Sequence, residues 1–122
     1  MNTQSKKIVV CAGARTPIGH ISRALSQIKP EDLMVLAVSG LLKKTSLPKG
    51  SVDGLIVGWV GQSFSAPNIA RVCLLKSGLD EKAQAVTVQN NCISSIEAIS
   101  SAARFILMGE GDLYIAGGTE CM

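Results

Sequence analysis

Short aliphatic, β-branched runs alternate along this chain with longer stretches of helical period, and that alternation constrains the fold more than any other feature. Residues 7–11 (KIVVC), 52–60 (VDGLIVGWV), 85–88 (AVTV) and 113–116 (LYIA) read as strands, because they are short and rich in Val and Ile. Between them, residues 30–44 (PEDLMVLAVSGLLKK) carry Pro at a first helical position, two acids in the first turn and two lysines in the last, which suits the helix dipole. Leu33, Leu36, Ala37, Gly40 and Leu41 supply its expected apolar face. A second helix opens at Pro67, is apolar along Ile69, Ala70, Cys73 and Leu74, and is closed by Gly78 as a left-handed cap. The third follows residues 90–93, with Ile93, Ile96, Ile99, Ala103, Ile106 and Leu107 at helical spacing and small residues filling much of the rest. The order βαβαβαβ predicts an α/β fold, a mainly parallel sheet with right-handed crossovers and helices on both faces. The glycines inside residues 52–60 imply a close backbone approach or a bulge.

Composition narrows the partners. The net charge of +3 is scattered, with no basic run longer than two, which disfavours nucleic acid. Aromatic residues make up 3% (Trp59, Phe64, Phe105 and Tyr114), leaving little to stack on bases or anchor at a membrane interface. No window reaches transmembrane length, so no membrane partner is expected. The first residues carry neither a signal-length apolar segment nor an Arg-rich transit pattern, so the expected compartment is a reducing cytoplasm with free thiols. The cysteines Cys11, Cys73, Cys92 and Cys121 are far apart, and His20 is the only histidine, which predicts no metal site.

One of these sulfurs has a position suited to chemistry. Cys92 stands where the strand AVTV turns into the third helix, and a thiol at a helix start meets unsatisfied N–H groups and the positive end of the dipole. Both favour the thiolate, the form that attacks a thioester to give an acyl-cysteine. The bland alternative is that a free cysteine is a small buried hydrophobe. Cys11, in an apolar strand, and Cys73, on an apolar helix face, are expected to be of that kind. Cys121 follows Gly117-Gly118 without any further clue. His20 is read as a solvated loop residue, Arg15 and Arg71 as partners in structural ion pairs, and Gly117-Gly118 as a turn that needs open φ/ψ space.

Several blocks resemble a known family in a fixed order. KIVVCAGARTPIGH resembles the thiolase start, with its A-R-T-P-[IF]-G loop; VDGLIVGWVGQS and PNIARVCLLKSGL are similar to the next strand and the N-x-A-R helix; VTVQNNCISSIEAI resembles the segment of the acylated cysteine; and GEGDLYIAGGTECM looks like G-x-x-D-[IVL]-x-[IVL]-A-G-G-x-E-S-M. The resemblance covers nearly all of the chain. It implies a thiolase-like fold, of which residues 1–122 would be a truncated N-terminal domain, an incomplete half of a five-layer αβαβα architecture. It also implies an acyl-CoA acyltransferase that cleaves a 3-ketoacyl-CoA thiolytically or runs the reverse Claisen condensation, with Cys92 as the acyl carrier. No cofactor is implied beyond the coenzyme A thioester as substrate, and backbone N–H groups near Cys92 would steady the oxyanion. Family members are commonly dimers or tetramers, so a homo-oligomer or a partner chain with the remaining half is expected.

The chain also departs from the family pattern. Many members read C-G-S-G, whereas Cys92-Ile93-Ser94-Ser95 is closer to the C-[IA]-[ST] forms associated with fatty-acid β-oxidation. The later N-E-A-F, G-H-P and C-x-G-G blocks, which supply the activating histidine and the second catalytic cysteine in the family, do not occur. The chain alone is therefore not expected to complete the reaction. Two other readings compete: a non-catalytic interaction module or degenerate fragment that pairs with a partner chain, and a sister family of the same fold, the ketoacyl synthases or hydroxymethylglutaryl-CoA synthases. The ARTPIG and AGGxE blocks favour thiolase over those sisters.

Overall fold

A computed structural model describes residues 7–122. Helix α1 spans Pro30–Thr45, followed by a 3-10 turn at Lys49–Ser51, strand β1 at Gly54–Gly58, helix α2 at Ile69–Lys76, strand β2 at Gln84–Val88, helix α3 at Ser94–Met108 and strand β3 at Tyr114–Gly118. The strands form one sheet in the order β2-β1-β3, and both pairs are parallel. The register runs from Gly54 opposite Gln84 and Tyr114 to Gly58 opposite Val88 and Gly118. As the central strand, β1 is buried along its whole length, which is why it reads as a near-continuous aliphatic run.

Helices cover both faces. On one side α1 and α2 enclose Met34, Val38, Leu42, Leu55, Val57, Cys73 and Leu74 with one edge of Trp59. On the other, α3 lays Ala98 and Ala102 on Ile56. The chain therefore leaves β1 through α2 toward one edge of the sheet and leaves β2 through α3 toward the other. That reversal makes a crevice at the carboxyl ends of β1 and β3, the place where open parallel sheets bind ligands.

Three expectations are corrected. Residues 7–11 do not form a strand: Val9 and Val10 are 61% and 86% exposed, and Cys11 is exposed instead of buried. A β-branched run becomes a strand only where a pleated neighbour receives it. Among the described residues the run pairs with neither open edge of the sheet, β2 or β3. On α1 the buried stripe is Met34, Val38 and Leu42, with Leu33, while Leu36 is 57% exposed, so the packed face is rotated from the expected one. On α3 the buried stripe is Ser94, Ala98 and Ala102, and Ile96 and Leu107 are 68% and 58% exposed. The reason is spacing. A Cβ built on Gly58 would lie 2.7 Å from the Ser95 amide nitrogen, so α3 sits too close to the sheet for large side chains to fit between them.

Candidate functional site

Cys92 lies in the elbow between β2 and α3, two residues before Ser94, the first helical residue. The elbow is sharp because Asn91 adopts φ 47°, a left-handed conformation that Asn tolerates better than most residues. It is locked by the buried Ser94 hydroxyl, which accepts from the Asn90 N–H at 2.8 Å and donates to the Asn91 carbonyl at 2.6 Å. Backbone bonds from Ile93 to Asn90 (3.2 Å) and from Ser94 to Asn91 (3.1 Å) tighten the same turn. The outcome is an exposed Cys92 held at the helix entrance, neither inside the helix nor sealed among aliphatic side chains.

The sulfur's residue lines a cleft of about 860 Å³ at the carboxyl ends of β1 and β3. Its floor is Gly58 to Gly61 where β1 exits, and its far wall is Gly118 to Met122 where β3 exits. Two glycines allow that arrangement. A Cβ on Gly58 would meet the Ser94 and Ser95 backbone, and one on Gly118 would strike Ser95 Oγ and come within 2.9 Å of the Gly58 carbonyl. Gly118 is therefore required for close approach, not for an open φ, which corrects the sequence expectation.

Other motif residues act on the scaffold. Asn68 caps α2, its Oδ1 accepting from the Arg71 N–H at 3.1 Å and from Thr87 Oγ1 at 2.7 Å, while its Nδ2 donates to the Ala85 carbonyl at 3.2 Å. The N-x-A-R block thus ties α2 to β2, the strand that delivers Cys92. Arg71 donates to the Glu81 carbonyl at 2.6 Å and Arg15 to the Thr16 carbonyl at 3.3 Å; both partners are carbonyls and not the carboxylates of the expected ion pairs. Gly78 has φ 69°, the left-handed cap predicted after α2. His20 is exposed and lines an adjoining cavity of about 330 Å³, which shares the wall Gly118 to Met122 with the cleft but does not include Cys92. Cys73 is buried as expected; burial, reinforced by nearby Glu31, pushes its thiol up to about 12.

Sequence reasoning missed three contributors. Glu120 bridges the two strand exits, its Oε2 accepting from the Val60 N–H at 3.1 Å and its Oε1 from the Cys121 N–H at 3.4 Å. Its place in the AGGxE block was the available signal. Trp59 lines the cleft while 3% exposed, and its indole N–H finds no hydrogen-bond partner among the described residues. Cys121, about which the sequence offered no clue, is half-buried in the wall facing the cleft. Among the described residues no three His, Cys, Asp or Glu side chains gather as a metal site, and no helix is long and apolar enough to cross a membrane.

Comparison with known proteins agrees with this geometry. Residues 8–122 match the family described as thiolase, N-terminal domain. Curated relatives include the mitochondrial trifunctional enzyme subunit beta of Bos taurus, 41% identical over 117 residues, covering 96% of this chain and 25% of that protein. Another is the 3-ketoacyl-CoA thiolase of Aeromonas salmonicida, 38% identical, covering 96% of this chain and 27% of the relative. Among solved structures, the Acat5 thiolase from Ascaris suum in complex with coenzyme A superposes with a TM-score of 0.83 at 30% identity, over 87% of this chain and 28% of that one. The Bacillus anthracis acetyl-CoA acetyltransferase gives 0.84 at 33% identity, over 88% and 27%. The chain spans about a quarter of the length of the curated relatives it matches. With its parallel sheet and flanking helices forming part of that α/β fold, the chain belongs to the thiolase family, which it matches in the N-terminal domain.

Proposed function

We propose that this chain is the nucleophile-bearing part of an acyl-CoA acyltransferase of thiolase type, a truncated N-terminal domain in which Cys92 accepts the acyl group. The observation that carries the reading is an exposed cysteine at a helix entrance, opening into a cleft at the sheet's switch point. In the thiolytic direction the Cys92 sulfur attacks the 3-keto carbonyl of a 3-ketoacyl-CoA, the bond between C2 and C3 breaks, the shortened acyl group stays on Cys92 as an acyl-cysteine, and acetyl-CoA leaves once its C2 has taken a proton. The thiol of coenzyme A then attacks the acyl-cysteine and frees Cys92. Backbone N–H groups of the elbow are suited to hold the oxyanion. The groups that would move protons in the family, the G-H-P histidine and the C-x-G-G cysteine, are not among these residues.

The substrate is the coenzyme A thioester itself and the reading requires no further cofactor. Free thiols throughout support a reducing compartment such as the cytoplasm. The test is single-turnover acylation. Incubation of the chain with an acyl-CoA, followed by tryptic mapping, is expected to place the acyl mass on the peptide 83–104 that contains Cys92, and Cys92→Ala is expected to abolish it. An acyl group found elsewhere, or equal labelling in the variant, would refute the assignment.

A second reading is a module that pairs with a partner chain or a second copy, and α3 favours it. Ile96, Ile99, Leu107 and Met108 are exposed on one helix. Leaving a large aliphatic side chain in water forgoes about 1.5–3 kcal/mol relative to burying it, so such a face is suited to a cover. The two readings are compatible, since α3 packs on the face of the sheet away from α1 and α2 and a cover there leaves the cleft open.

A further inference from the structure

The acyl transfer proposed above uses one thiol of its cleft and leaves a second unassigned. Cys92 lies three residues before Ser95, and Cys121 lies three residues after Gly118. Ser95 and Gly118 are where α3 meets β3, with the Ser95 Cβ 3.0 Å from where a Cβ on Gly118 would stand. Both cysteines line the same cleft, and Cys121 also lines the adjoining cavity of His20. The segment leading to Cys121 is pinned. The Thr119 N–H donates to the Gly58 carbonyl at 3.1 Å, Thr119 Oγ1 donates to the Pro30 carbonyl at 2.8 Å, and Glu120 receives the Val60 N–H at 3.1 Å. The β ladder ends at Gly118, and the Cys121 N–H donates to Glu120 Oε1 at 3.4 Å. The other two thiols are placed differently: Cys73 is buried between α1 and α2, and Cys11 does not line this cleft.

We propose that Cys92 and Cys121 form a dithiol pair that closes to an intramolecular disulfide when a peroxide is supplied. The Cys92 sulfur attacks one oxygen of hydrogen peroxide, the O–O bond breaks, and the sulfur becomes a sulfenic acid as water leaves. The Cys121 sulfur then attacks that sulfur, the S–O bond breaks, and a second water departs with the Cys121 proton. Two thiols are oxidised by two electrons in all, and one peroxide is reduced to two waters. Closure needs the two α-carbons within about 7 Å, a condition that recovery of a joined peptide reports. The expected consequence, which rests on the acyl-cysteine reading, is a Cys92 that cannot be acylated while bridged and that is shielded from irreversible oxidation.

Peptide mapping tests this directly, because trypsin places each cysteine on its own peptide: 8–15, 72–76, 83–104 and 105–122. The full chain is treated with one equivalent of hydrogen peroxide, capped with iodoacetamide and digested without reductant. The expected product is peptide 83–104 joined to 105–122, two hydrogens lighter than their sum, from a monomeric chain, with loss of both capped peptides and their recovery after dithiothreitol. In Cys121→Ser and Cys121→Ala, checked for an unchanged urea midpoint, Cys92 is expected to be trapped by dimedone as the sulfenic acid after one equivalent of peroxide and, with a further equivalent, to pass to the sulfinic acid, which dithiothreitol does not reverse. Absence of the joined peptide, linkage of Cys92 to Cys11 or to a second chain, or unchanged behaviour of both variants would overturn the proposal. Acylation of the reduced chain is read separately on peptide 83–104, so failure of one idea is not mistaken for failure of the other.

Discussion

Cys73 is fully buried between α1 and α2, where its Sγ–H donates to the Glu31 carbonyl at 3.5 Å and burial, with Glu31 close by, holds the thiol protonated up to about 12. In the unfolded chain the same thiol ionises near 9.0. Because the folded value is the higher one, this group's stabilising contribution is complete below pH 9.0 and is lost as pH rises toward about 12. The urea midpoint is therefore expected to fall across that interval, and to fall less steeply in Cys73→Ala; equal slopes would show that Cys73 is not the source. At the glycines, space decides the outcome. Gly58→Ala places a Cβ against the Ser94–Ser95 backbone, which no rotamer change relieves, and is expected to cost about 1–3 kcal/mol as overpacking and to displace the elbow. Gly117→Ala meets only Met34 Cε at 3.6 Å, an ordinary contact, and is expected to be neutral or stabilising by up to about 1 kcal/mol. Denaturation of the two variants side by side checks the contrast.

Among the elements, α3 carries the least obvious packing. Ile96, Ile99, Leu107 and Met108 face out while Ser94, Ala98 and Ala102 face in, because the helix presses on the sheet at Gly58 and Gly118. Ala98→Leu is expected to destabilise by about 1–3 kcal/mol, whereas Ile96→Lys at a surface position is expected to change stability by no more than about 0.5 kcal/mol. The opposite order of denaturation midpoints would show the helix rotated from this orientation. The existence and order of α1 to β3 were legible in the sequence, since helix-dipole charges at Pro30 to Lys44, the Gly78 cap and the aliphatic runs are local signals, although α2 starts at Ile69 behind an Asn68 cap and not at Pro67. Which face of a helix is buried is not a local property. It depended on a glycine 36 residues before Ser94, and hydrophobicity alone pointed to the wrong side. Residues 7–11 failed as a strand for a related reason: a strand is completed by its neighbour, and propensity cannot supply one. At the site, the elbow position of Cys92 was legible, while Glu120 and Cys121 entered the cleft only once β3 was laid beside β1.

Among the described residues, a three-stranded parallel sheet with both edges unpaired and an aliphatic stripe on α3 form a surface suited to association. Concentration-dependent association is expected in native mass spectrometry or light scattering, and the double variant Ile96→Lys with Leu107→Lys is expected to suppress it; unchanged association would remove α3 from the interface. We propose more narrowly that the fold makes one sulfur, that of Cys92, more reactive by placing it at a helix entrance in an open cleft. Cys11 is the decisive control, because it is also exposed but stands at no helix start. The most direct measurement is the rate of iodoacetamide labelling of each cysteine in the intact chain near neutral pH, read peptide by peptide. The account predicts that Cys92 labels faster than Cys11, that Cys73 stays unlabelled, and that an acyl-CoA slows only Cys92. Equal rates for Cys92 and Cys11, with no protection by the thioester, would contradict it.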